Sequence, residues 1–392
     1  EPEGAEQLAK VWGFVQAQYQ KDNSDPNPAG GYISPKLIGP DLDSQSAFNV
    51  NRARIGVRGV AMPLDQKINY FLLLEMGNNA ITEPGDSFAK MTDASVTFNH
   101  FKGARIRAGL FKYPGSEEGL QAIHVFDYIN FTNVTNQLLL ERFPQAGDVN
   151  QGATPIPNAN MNNYSKAVGA FRDVGIQVFD TFKASDWEHS YAIMVGNGNG
   201  LNYGDNDDNK DLYLYWSSEL VFGGKGGRRE GLKMFVWNQD GKRTNAFDVT
   251  QEQDRKRTGL GVKYLQKPFR VSAEYMEGEG MIFQGPHRPL HIFNDGEAEG
   301  FYVEGGWYIP NTKFEIDLRY DEYTRDENHP SSASGDETTF ETVTVGAQYH
   351  FNKKTRLNVE YSDRSNESDT TIVNNQHEGV DGRFAAQVTH IF

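Results

Sequence analysis

Segments that alternate strictly between apolar and charged residues constrain this chain more than any other feature. In 51–61, Ala53, Ile55 and Val57 fall on one side of an extended strand, and Arg52, Arg54 and Arg58 fall on the other. Ile106, Ala108 and Leu110 oppose Arg105 and Arg107. Phe314, Ile316, Leu318 and Tyr320 oppose Lys313, Glu315, Asp317 and Arg319, and Leu357, Val359 and Tyr361 oppose Arg356, Asn358 and Glu360. A period of two is the strand period, and helices cannot sort residues this way.

The pattern recurs from end to end. It predicts sixteen strands at 11–20, 49–61, 67–76, 90–99, 103–112, 167–180, 189–196, 211–222, 231–238, 256–265, 269–277, 299–309, 312–323, 340–351, 354–364 and 380–392. The connections alternate in length. The long ones are 21–48, 77–89, 113–166, 197–210, 239–255, 278–298, 324–339 and 365–379; the others are short, and Pro63, Pro268 and Pro310 sit in them. Short turns at one end and long loops at the other are the habit of membrane barrels. No linker interrupts the series, so the expected organisation is an N-terminal segment, 1–10, on the periplasmic side followed by one transmembrane antiparallel β-barrel, 11–392.

The faces decide what surrounds such a barrel. A ring of sixteen strands is too wide for side chains to fill. Its apolar face must then meet lipid and its charged face water in the lumen, while closure pairs every backbone N–H and C=O. No run approaches the 18–20 apolar residues of a membrane helix, and alternation hides strand hydrophobicity from such a search. Tyr19, Tyr113, Trp187, Trp307, Tyr349 and Phe351 lie near strand ends, where interfacial girdles form. The 392 residues contain no Cys, which excludes disulfides, thiolate metal sites and cysteine nucleophiles. With 38 Lys and Arg against 53 Asp and Glu, the net charge of −15 argues against a nucleic-acid partner.

Four segments carry a resemblance: Phe48-Asn-Val-Asn-Arg-Ala-Arg-Ile-Gly-Val-Arg-Gly59, Ile106-Arg-Ala-Gly-Leu-Phe-Lys112, Tyr191-Ala-Ile-Met-Val-Gly-Asn-Gly-Asn-Gly-Leu-Asn202, and the terminal Gln387-Val-Thr-His-Ile-Phe392 with its final Phe. Together the chain resembles the phosphate-selective porin O/P family. The resemblance implies a homotrimeric, sixteen-stranded porin in the outer membrane of a Gram-negative bacterium, with its third loop folded into the lumen. It also implies passage of small hydrophilic solutes, with phosphate or other anions preferred by some members.

Arg52, Arg54 and Arg58 form the sharpest constellation. Arg105 and Arg107 belong a few strands further round, Arg383 closes beside the first strand, and Arg319 and Arg356 face the same lumen. Guanidinium groups supply fixed donors to an anion shedding water. Unit charges ~4 Å apart at an effective dielectric of ~20 attract by about 4 kcal/mol. The alternative is that these arginines pair with acids and stiffen the wall.

Glu75, Asp93, Asp173, Glu219, Glu274, Glu304, Glu315, Asp317 and Glu360 also read as lumen-facing. The loop 113–166 adds Glu117, Glu118, Asp127, Glu141 and Asp148, so an acidic constriction facing a basic wall is expected. A short helix is expected within 119–133, and Pro144, Pro155 and Pro157 predict an irregular second half.

In Asp205-Asn-Asp207-Asp-Asn209-Lys-Asp211, oxygen donors recur at every second position, but the Gly and closing Glu of a calcium loop are missing. The reading is a solvated outer loop without a resident cofactor; calcium there, or bridging to lipopolysaccharide, is the alternative. The nine His show no paired metal-ligand spacing, and no Ser/His/Asp grouping suggests an enzyme. A weakly selective diffusion porin and a plugged structural barrel are the competing functions.

Overall fold

The computed structural model describes residues 8–24, 46–61, 63–79, 81–82, 87–140, 170–201, 205, 208–224, 228–244, 252–283, 292–293, 296–325, 337–368 and 379–392. Among these, eighteen strands form: β1 Lys10–Asp22, β2 Ser46–Ala61, β3 Asp65–Glu75, β4 Lys90–Phe98, β5 Arg105–Lys112, β6 Arg172–Ala184, β7 Trp187–Gly196, β8 Asp211–Gly223, β9 Glu230–Thr244, β10 Glu252–Gln266, β11 Phe269–Glu279, β12 Ile282–Phe283, β13 Ile292–Phe293, β14 Glu297–Tyr308, β15 Phe314–Arg325, β16 Thr338–Asn352, β17 Thr355–Ser368 and β18 Arg383–Ile391. All but β12 and β13 close into one antiparallel barrel. β1 seals it, with Gln16 opposite Arg52 on β2 and Thr389 on β18. The sixteen expected strands are the sixteen of the barrel. The two-residue ladder of β12 with β13 lies in the connection between β11 and β14 and was not expected.

The faces sort as the alternation demands. Leu318 is 57% exposed and Val345 53%, while Glu315, Asp317 and Arg319 are 0, 2 and 2% exposed. The protein therefore turns its apolar side chains out and its charges in, the reverse of a water-soluble sheet. Two of the register shifts among the described strands adjust the phase mid-strand. One lies between β1 and β2, so that consecutive Asn51 and Arg52 both turn inward; the other lies between β3 and β4 and does the same for Thr92 and Asp93. Gly109 on β5 has φ +123°, and a Cβ there would meet the Ala94 carbonyl oxygen at 2.2 Å, so only glycine fits this approach of two strands.

Several expected boundaries shift. The strand predicted at 167–180 runs from Arg172 to Ala184, because Ala184 pairs directly with Trp187 across a two-residue turn. The connection predicted at 239–255 is mostly strand, with Gln239 opposite Arg257 and Lys242 opposite Asp254. Lys313 falls in an exposed turn rather than on the lumenal face. Tyr113 is no girdle residue. It is buried and stacks on Tyr213 with ring centroids 4.7 Å apart, since it follows β5 into the barrel's interior cluster instead of the lipid face.

The connection after β5 is described from 113 to 140. It holds a four-residue helix, α1 (Glu117–Leu120), and a π-helical turn at Thr135–Leu139. Its apolar residues Val134, Leu138, Leu139 and Leu140 pack against Tyr213, Phe235, Trp237, Tyr302, Tyr323 and Phe340, which belong to the inward faces of β8, β9, β14, β15 and β16. Glu141, Asp148 and the three prolines of its second half lie outside the described residues.

Candidate pore-lining site

The inward faces of β1–β5 carry three acids, Asp22, Glu75 and Asp93, each ion-paired with an arginine. On β2, Arg54 Nε meets Glu75 at 2.6 Å and its Nη2 donates to Thr82 at 3.0 Å. Arg52, two residues earlier, donates to the Gln16 amide oxygen at 3.1 Å. Arg58 is exposed to the lumen, with its guanidinium 6.0 Å from the Trp12 ring. Among the described residues, no carboxylate is ion-paired with Arg52 or Arg58. Lys112 ends β5 and donates to the carbonyls of Gly119 and Gln121, at 2.6 and 2.7 Å, again without a carboxylate partner among the described residues. Arg105 and Arg107 share the Phe179 ring at 4.6 and 4.8 Å, and Arg105 also pairs with Asp180 at 3.1 Å. Arg383 is buried on β18 opposite Asp22 of β1.

The inward faces of β11 and β14–β17 carry more acids. Arg270 on β11 is the hub: it lies 2.6 Å from Glu315, 3.4 Å from Asp127 and 3.8 Å from Glu304, and is also paired with Asp317. Arg319 stands 4.2 Å from the Tyr128 ring and 3.5 Å from Glu118, and donates to the Asn130 carbonyl at 3.0 Å. Arg356 donates to Gln348 at 3.0 Å and lies 3.7 Å from Asp127.

The described acids of the loop, Glu117, Glu118 and Asp127, do face basic side chains of the wall, and each is tied to a base. Glu117 accepts from Lys233 at 2.7 Å and Lys263 at 3.0 Å; burial alone would raise its pKa, but the two ammoniums outweigh this and hold the carboxyl below the ordinary range. Asp127 accepts from Arg228 at 2.8 Å, and Glu118 faces Arg319.

Acids of the wall hold the loop's backbone in return. Glu274 accepts from the Glu117 N–H, Ser116 Oγ, Trp237 Nε1 and Tyr302 OH; Glu360 from the Ile129 N–H at 2.9 Å; and Asp321 from the Asn133 N–H at 2.7 Å. These contacts are long-range in sequence and tie residues 113–140 to β11, β15 and β17.

Arg228, Lys233, Lys263 and Arg270 were missed as site residues. Arg270 was within reach of the alternation, since Arg270, Ser272 and Glu274 oppose Phe269, Val271 and Ala273. Of the acidic outer run, Asp205 pairs with Lys210 at 3.0 Å and Asn209 donates to Glu252 at 3.2 Å. Asp207 lies outside the described residues.

Among solved structures, an anion-selective porin from Comamonas acidovorans shares the fold at TM-score 0.58, 14% identity, and coverage of 98% of this chain and 99% of that one. OmpF of Salmonella typhi, solved in complex with daunomycin, does so at 0.61, 14%, 98% and 97%. The outer membrane channel DcaP of Acinetobacter baumannii gives 0.56, 14%, 98% and 97%. No curated protein matches the sequence. The family model for phosphate-selective porin O and P matches residues 39–387. With that match spanning nearly the whole of a closed sixteen-stranded barrel whose charges face inward, the chain belongs to the phosphate-selective porin O and P family.

Proposed function

We propose that this outer-membrane porin is a passive, water-filled channel that prefers small anions. Residues 113–140 narrow its bore, and the β1–β5 wall is the selective side. The observation that carries this is Arg58, exposed on the lumenal face of β2 with no ion-paired carboxylate among the described residues, and Arg52 beside it, likewise without one. A guanidinium without a carboxylate partner is free to offer its donors to a passing oxyanion, and several such groups along one wall let an ion move between sites without being trapped. The family and the shared fold with an anion-selective porin support the reading, and phosphate is the first oxyanion to try. The acids on β14–β17 support a second, milder reading: a transverse field between two walls in a weakly selective diffusion pore. We further propose a homotrimer set in lipid and lipopolysaccharide. Family and fold point to a channel rather than an enzyme.

Zero-current potentials in a tenfold KCl gradient test the proposal. Anion preference places the potential on the chloride side; a potential on the potassium side overturns it. Replacing chloride with phosphate then ranks the anions.

A further inference from the structure

Beside the basic wall lies an aromatic shelf that simple anion selectivity does not use. The rings of Phe71 on β3, Trp12 and Phe14 on β1 follow one another with centroids 6.2 and 6.3 Å apart and planes 16° and 24° apart. The shelf crosses β2 because position 56 carries no side chain. A Cβ on Gly56 would meet Leu73 Cδ1 at 2.9 Å, the Leu72 carbonyl oxygen at 3.0 Å and Trp12 Nε1 at 3.2 Å, so a side chain there would crowd the indole. Arg54 and Arg58 flank Gly56 on the same face, with guanidinium carbons 5.8 Å from Phe14 and 6.0 Å from Trp12.

His124 of the connection between β5 and β6 tilts over the shelf, 5.5 Å from Trp12 and 5.0 Å from Phe14. Burial and the surrounding cations push its pKa down to about 4, so at neutral pH its ring is uncharged. Phe14 is buried, Trp12 and Phe71 are half-buried, and Arg58 is exposed. The part-exposed rings of Trp12 and Phe71 and the cation of Arg58 thus stand side by side where the connection meets the wall.

Inorganic phosphate gains nothing from aromatic faces, which offer it no donors. An anion with a flat ring gains twice, by stacking and by ion pairing. The geometry points to a subsite for aromatic carboxylates, with the ring on Trp12 and Phe71 and the carboxylate on Arg58. This rests on the anion-preferring reading above and names a substrate class within it. Binding of this kind speeds passage provided it is weak enough to release.

The test is a bi-ionic bilayer measurement with potassium benzoate facing potassium acetate. Acetate is smaller and diffuses faster in water, so unassisted passage gives a benzoate-to-acetate permeability ratio below one. The shelf predicts a ratio above one in the wild-type channel, with a benzoate current that saturates with concentration. Trp12→Ala brings the ratio below one, and Trp12→Phe keeps it above one. Phe71→Ala lowers the ratio in the same direction and serves if Trp12→Ala fails to assemble. A wild-type ratio below one, or a ratio that neither alanine variant moves, overturns the shelf. The KCl potential of the same channels separates the two claims: cation preference sinks the anion reading, whereas anion preference with a low benzoate ratio sinks only the subsite.

Discussion

Arg270 on β11 is paired with Asp127, Glu304, Glu315 and Asp317, whereas Arg58 on β2 has no ion-paired carboxylate among the described residues. Both side chains face the same bore and both come from a strand with the same alternation. The difference lies in what crosses from the loop. Residues 113–140 bring Asp127 and Glu118 against β11 and β15, where acids already crowd. Against β1 and β2 they bring uncharged groups, the Ile123 carbonyl that accepts from Gln16 and the ring of His124. One wall has become an anchor, where a few bases are shared among many carboxylates. The other keeps positive charge for the solute.

The same substitution should therefore do different things on the two walls. Arg270→Ala leaves buried carboxylates without their cation, and removing one partner of a buried pair costs about 3–5 kcal/mol. The expected outcome is a clear loss of stability in denaturant unfolding or heat-modifiable gel migration. Arg58→Ala should leave the unfolding midpoint nearly unchanged. Equal destabilisation by both would erase the distinction between anchor and conduit.

Selectivity should respond the other way round. Two unit charges ~8 Å apart at an effective dielectric of ~40 interact by about 1 kcal/mol, or roughly fivefold in occupancy. The double variant Arg52→Ala with Arg58→Ala should thus lower the anion-to-cation permeability ratio by about fivefold, read from zero-current potentials. A smaller effect is expected from salt alone. The screening length falls from about 10 Å at 0.1 M to about 3 Å at 1 M, so the wild-type ratio should decline as KCl concentration rises and stay on the anion side. The smallest change belongs to the anchored wall. Glu118→Gln should raise the ratio by less than about twofold, because Arg319 keeps Asp321 at 4.0 Å as a counter-charge.

How much of this was legible in the sequence follows from what each feature depends on. The lipid and lumen faces depend only on neighbours two apart, so the segment from Arg52 to Arg58 declared itself. Even the β1–β2 bulge leaves a trace, since apolar residues sit at Phe48 and Val50 and then change parity to Ala53 and Ile55. The loop's partners left none. Asp127 and Arg270 are far apart in the chain, and alternation says nothing of which wall a loop acid will reach. For the same reason the sequence shows an acidic loop facing a basic wall but not that Glu117, Glu118 and Asp127 are each tied to a base. Tyr113 misled because an aromatic at a strand end looks the same whether it meets lipid or turns inward onto Tyr213.

The most direct test uses the chain's lack of cysteine. Arg58→Cys places a single thiol on the proposed conduit, and the modification rates of an anionic and a cationic thiosulfonate reagent can be compared after each is divided by its rate with a free thiol. Local positive potential from Arg52, Arg54, Arg105 and Arg107 predicts that the anionic reagent reacts several-fold faster and alters the bilayer current. A thiol that resists both aqueous reagents, or one that the cationic reagent reaches faster, would contradict a water-filled bore with a basic wall.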